Sequence, residues 1–311
     1  MALLSATALW PAGAALAQPP VSTPGNPPAS SPEDPAVLAA ARDDTDRMTV
    51  PVMVNGQGPF AFIVDTASDR TTVSQTLAAT LSLPSVGTLN VNSATGLNVV
   101  PGVRIDRLRV GPREIRRIDA PVFLEKDIGA AGLLGIDALS DQNIVIDFRS
   151  KQMTIEHSSD RDEPGDIVVK GRSLYGQLVL VDASVAGRDL FVVIDTGGQS
   201  SIGNSTLQKL VHGQGPPGSG ADEVSVISVS GDTAKAQMDV LARVRLGGVL
   251  ISNLPIAWAD MHTFDLLDLH DRPAMLLGMD VLRKFDRVSV DFKARRVRFL
   301  LPKDRLNRIP D

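Results

Sequence analysis

Two carboxylates stand out because each follows an apolar run and precedes a hydroxyl. The run FAFIVDTASDRTTVS places Asp65 and Thr66 after Phe60–Val64, and LFVVIDTGGQSSIGN places Asp195 and Thr196 after Leu190–Ile194, 130 residues later. A single such site is most simply a cap, since Asp, Ser and Thr at strand ends hydrogen-bond the turn that follows. Two copies at equivalent places allow a different chemistry. Carboxylates that meet in a buried site cannot both ionise cheaply, so one becomes an acid and the other a base.

The elements that would position them are also duplicated. At the offset of 130, Val64 pairs with Ile194, Thr76 with Thr206 and Leu77 with Leu207. A second anchor follows in each half: GLLGIDAL (Gly132–Leu139) against MLLGMDVL (Met275–Leu282), then IVIDF (Ile144–Phe148) against VSVDF (Val288–Phe292). Four matches in one order mark an internal repeat. Short apolar runs broken by Asn55-Gly56 and Ala186-Gly187 predict hairpins, and VRIDRLRVG and VLARVRLGG alternate as half-exposed strands. Helical pattern is brief, in SQTLAATL and STLQKLV. The expected class is all-β, in two homologous lobes.

The paired elements resemble the retropepsin-like aspartic proteases, in the bacterial single-chain form where two lobes are fused. The likeness runs over most of Val50 to Leu301. It implies two β-barrel lobes about a pseudo-twofold axis, with Asp65 and Asp195 as a catalytic dyad at their interface. It further implies that Thr66 and Thr196 brace the two loops across that interface, with Ala67, Ser68, Gly197 and Gly198 supporting the dyad, and that one hairpin per lobe (Asn90–Val99, Val226–Lys235) covers the substrate as a flap. The family usually has glycine at Ala67 and a small or hydroxyl side chain at Gly198. Gly135 and Gly278 are read as packing residues that let the active loops approach. Ser68 gives Asp65 a nearby hydroxyl that Gly198 denies to Asp195, so Asp65 is expected to hold more of the negative charge.

The resulting expectation is an aspartic endopeptidase acting on protein or peptide substrates as a monomer, without metal or cofactor. A non-catalytic peptide-binding protein on the same fold, and a β-rich envelope scaffold with capping aspartates, are the alternatives. A net charge of −5 with scattered basic residues argues against nucleic acid, and the chain has no cysteine for a nucleophile, thiolate site or disulfide. The four histidines (His157, His212, His262, His270) are read as surface residues, and neither HExxH nor GxSxG occurs. Gly213–Gly218 matches GxGxxG but carries Pro216-Pro217, and reads as a loop.

The N-terminus is uncharged before Glu33 and apolar up to Ala15-Leu16-Ala17, a small-x-small cleavage pattern. The expected organisation is a signal peptide (1–17), a Pro/Ser-rich disordered tether (18–45), a first lobe (46–157), a linker (158–173), a second lobe (174–302) and a tail (303–311). It leaves no membrane span after cleavage and a secreted or periplasmic location.

Overall fold

A computed structural model describes residues 36–39, 41–42, 47–111, 113–159, 161–213 and 223–302. It is mostly β. In the first lobe, Met48–Val54 turns back at Asn55-Gly56 into Gln57–Val64, with Thr49 opposite Ile63. Both turn residues have positive φ (51° and 82°), the geometry an Asn-Gly hairpin supplies at little cost. Gln57–Val64 then pairs in parallel with Gly132–Leu134, which lies antiparallel to Thr72–Ser74. That short strand pairs with Arg113–Phe123, and Arg113–Phe123 with Gly96–Val110. Gly96–Val110 returns to Met48–Val54, so this ladder closes on its first strand.

The second lobe repeats the plan. Gln177–Leu180 pairs with Phe191–Ile194, Val179 opposite Val193, which is the first-lobe register displaced by 130. Phe191–Ile194 lies parallel to Ala274–Leu277, and the short strand Ile202–Gly203 joins Ala274–Leu277 to Val249–Trp258. The apolar residues before each aspartate are central strands buried on both faces: Ile63, Val64, Val193 and Ile194 are at most 1% exposed. A continuous apolar run is the pattern such a position requires.

A shared sheet joins the lobes. Its order is Ala36–Ala39, Gln152–His157, Gln142–Asp147, Arg287–Asp291, Arg296–Leu300 and Asp166–Leu174. Val145 pairs with Ser289, and these are equivalent positions of IVIDF and VSVDF. Equivalent residues directly opposite one another are what a twofold axis between the lobes demands.

Two boundaries differ from the expected ones. Ala36–Ala39 and Ala41–Arg42, placed in the tether, are strands, because the chain leaves its Pro-rich composition at Ala36 and the sheet edge offers a partner. Asp166–Leu174, mostly placed in the linker, is a strand as well, since Ile167-Val168-Val169 is β-branched and pairs with Arg296–Leu300. The signal-peptide and tail segments lie outside the described residues, as does most of Gly213–Gly218. Among the described residues, no helix is long and apolar enough to cross a membrane.

Candidate active site

Each Asp-Thr element leaves its strand at the centre of its lobe. The Asp65 N–H donates to Leu134 O and the Asp195 N–H to Leu277 O, both at 3.0 Å, so the Leu-Leu-Gly strands fix where each carboxylate emerges. The glycine of each motif lies against the loop that follows the aspartate. A Cβ at Gly135 would come within 2.6 Å of Arg70 O, and one at Gly278 within 2.7 Å of the Ser200 carbonyl carbon. Their expected packing role is the one the structure shows.

The hydroxyl residues cross between lobes. Thr66 Oγ1 donates to Ile194 O at 2.7 Å, and Thr196 Oγ1 to Val64 O at 2.6 Å. In return, each hydroxyl accepts the other's backbone N–H, Thr66 N at 3.1 Å and Thr196 N at 3.2 Å. Both threonines are almost fully buried, so water does not compete for these bonds.

Held this way, Asp65 and Asp195 line one cleft of about 510 Å³, together with Ala67, Ser68, Gly197 and Gly198. Asp65 Oδ1 accepts the Ala67 N–H at 2.8 Å and the Ser68 N–H at 3.0 Å. Asp195 Oδ1 accepts the Gly198 N–H at 2.7 Å. Burial raises the Asp65 carboxyl above its ordinary value, against the pull of the Ala67 and Ser68 N–H groups. Burial and then the charge of Asp65 push Asp195 up to about 7, against the Gly198 and Gly197 N–H groups. Both carboxyls are therefore held above the ordinary range, and the charge on one is part of what raises the other.

The expected role of the Ser68 hydroxyl is corrected. The Ser68 hydroxyl donates to Arg70 O at 3.0 Å, within its own loop, and it is the Ser68 backbone N–H that reaches Asp65. Serine in a tight turn finds the nearby carbonyl first.

The two departures from the family pattern also acquire a physical reading. Ala67 is not among the residues with positive φ, and its methyl packs against the apolar cluster of the second lobe that includes Val179, Ile202 and Leu276. Its counterpart Gly197 has no such room, because a Cβ there would overlap the Asp65 carboxyl. A Cβ at Gly198 would lie 2.6 Å from Asp195 Oδ2.

Both expected flaps are hairpins. Ser85–Ser93 turns into Gly96–Val110, and Glu223–Ile227 turns into Thr233–Leu246. Asn92–Ala94 and Val226–Val229 line the cleft. The first flap is tied to the opposite lobe, with Ala94 O accepting the His262 N–H at 2.9 Å and the His262 ring 3.4 Å from Asn92 Oδ1. Ser230 Oγ at the second tip lies 3.4 Å from Ser93 Oγ at the first. Two histidines are thus more than surface residues: His262 meets a flap, and His212 Nε2 lies 2.8 Å from Asp239 Oδ2.

Several supporting residues escaped the sequence reading. Asp137 Oδ1 accepts the Thr71 N–H at 2.8 Å and the Thr71 hydroxyl at 2.6 Å. Asp280 likewise accepts the Ser201 N–H at 3.1 Å and its hydroxyl at 2.8 Å. These aspartates end the Leu-Leu-Gly-x-Asp motifs, and Thr71 and Ser201 are 130 apart, so the repeat carried a signal. Arg47 and Gln177, also 130 apart, line the cleft, Arg47 just before the strand Met48–Val54 and Gln177 at the start of Gln177–Leu180. Gln177 Nε2 donates to Ala67 O across the lobe boundary, and the Arg47 guanidinium donates to Ile128 O.

Residues 50–141 match the sequence family described as "gag-polyprotein putative aspartyl protease", and residues 181–281 match the aspartyl protease family. The two stretches lie in tandem, one per lobe. Fold, pseudo-twofold sheet and family matches together define a protease-type protein. The chain belongs to the retropepsin-like aspartyl proteases, in a two-lobed form. No curated protein matches it.

Proposed function

We propose that the protein is an aspartic endopeptidase in which Asp65 and Asp195 activate water against a peptide bond. The observation that carries this reading is the exchange between Thr66 and Thr196, which presents both carboxylates to one cleft. Shared protonation is the general property of aspartic protease carboxylates and is taken over from them. Asp65, as base, takes a proton from water as the oxygen attacks the scissile carbonyl carbon. Asp195 gives its proton to the carbonyl oxygen. The tetrahedral diol then collapses: the C–N bond breaks, the nitrogen takes the proton held by Asp65, and the diol returns a proton to Asp195, leaving a carboxylic acid and an amine. The two hairpins would cover the bound peptide.

The apolar N-terminal segment supports a secreted or periplasmic location. Ala67, the departure that favours a non-catalytic binder, costs no left-handed strain and so weakens that alternative. The test is incubation of the purified protein with a peptide library, new termini being read by mass spectrometry. A matched sample contains a peptide inhibitor with a hydroxyl in place of the scissile amide. New termini suppressed by the inhibitor are expected; peptide binding without new termini would favour the binder.

A further inference from the structure

A second cavity of about 600 Å³ opens on the first lobe, between the helix Gln75–Thr80 and the strand Gly96–Val110. Ala78, Ala79, Leu83, Val103, Val122 and Phe123 give it an apolar lining, and no dyad-loop residue belongs to it. It adjoins the cleft at one side chain and one hairpin tip. Asp127 lines both cavities. At the tip of the second flap, Ser228 and Val229 face the cleft while the next residue, Ser230, faces the outer cavity. The tip sits close over Asp127, whose Oδ2 would be 2.9 Å from a Cβ at Gly231.

We propose that this cavity is an outer subsite of the cleft, which takes an apolar side chain of an extended peptide some residues away from the scissile bond. The inference takes its ligand class from the endopeptidase reading. Continuity selects the occupant, because Asp127 lines both cavities and the tip of the second hairpin spans from the cleft, at Ser228 and Val229, to this cavity, at Ser230. Its lining has the mostly apolar character, with a few polar groups, of a side-chain pocket. Leu124, 46% exposed, adds apolar surface at the same place.

The experiment measures fluorescence anisotropy of labelled peptides on the catalytically silenced Asp195→Asn protein. The probes are a hexapeptide with Leu-Phe at its centre, and the same peptide extended by four residues at either end, with Leu or with Gly at the outer positions. On one end, the Leu extension is expected to bind ~10-fold more tightly than the Gly extension, the scale set by one apolar side chain in a pocket. Adding Ala79→Trp, an exposed helix position whose indole fills the cavity, is expected to abolish that advantage while leaving hexapeptide affinity unchanged. Ala79→Arg serves as a second block should the indole disturb the helix. Equal affinity of Leu and Gly extensions, or equal weakening of short and long peptides by both blocks, would overturn the outer subsite. A wild-type protein that hydrolyses none of these peptides while the Leu advantage persists would remove the endopeptidase reading and leave the subsite standing.

Discussion

Thr66 and Thr196 each satisfy the backbone of the other's loop: Thr66 Oγ1 donates to Ile194 O at 2.7 Å and Thr196 Oγ1 to Val64 O at 2.6 Å. Each carbonyl thus held belongs to the residue just before an aspartate. The brace therefore acts one peptide bond away from the carboxylates, and neither loop can move without breaking bonds in the opposite lobe.

Replacing Thr196 by Val keeps the shape but leaves Val64 O and the Thr66 N–H buried without partners. The expected cost is about 1–3 kcal/mol of stability, read from urea unfolding, together with loss of turnover. Thr196→Ser, which keeps the hydroxyl, should retain most of both.

Gly197 and Ala67 hold equivalent positions in the two lobes but meet different surroundings. A methyl at residue 197 overlaps the Asp65 carboxyl, whereas the Ala67 methyl has a pocket in the second lobe. Gly197→Ala should lower kcat/KM by ~10²-fold through displacement of Asp65. Ala67→Gly should keep activity and cost ~0.5–1 kcal/mol, chiefly from a freer unfolded chain. Peptide hydrolysis and urea midpoints check the pair.

Ser68→Ala should leave the acidic limb of the pH–rate profile where it is, because the hydroxyl serves Arg70 O and the donor to Asp65 is a backbone N–H that the substitution retains. An upward move of that limb would mean that the hydroxyl reaches the carboxylate in solution.

The buried pair also sets a pH dependence of stability. Burial, and for Asp195 also the charge of Asp65, raises both carboxyls in the folded chain, Asp195 to about 7, while an unfolded aspartate titrates near ~3.9. Between those values the folded chain binds more protons than the unfolded one, so this contribution is fully present below pH ~4 and is lost as pH rises toward 7. Asp195→Asn cannot ionise there. Its urea midpoint should fall less than that of the wild type between pH 4.5 and 7.

What was legible in the sequence was what repeats. The offset of 130 between Asp65 and Asp195 identified the strands that end on both aspartates, and the paired Leu-Leu-Gly motifs identified the strands beneath them, because central strands need continuous apolar runs. Ser68 was assigned to the wrong partner, since residue order cannot distinguish a hydroxyl that turns toward a carboxylate from one that turns toward a carbonyl two residues on. Arg47 and Gln177 escape a sequence reading for a related reason: they stand at the polar starts of their hairpins, and only the folded hairpins bring them to the cleft. The strands at Ala36–Ala39 and Asp166–Leu174 exist because distant sheet edges accept them, which no local pattern reports.

The most direct test of the account is the hydrolysis rate of one cleavable peptide by wild type, Asp65→Asn, Asp195→Asn and the double variant, all verified as folded by circular dichroism. A pair that acts as one proton-sharing unit predicts that each single change abolishes turnover and that the double change lowers it no further. Substantial activity in either single variant, or losses that multiply in the double variant, would contradict a dyad formed by Asp65 and Asp195.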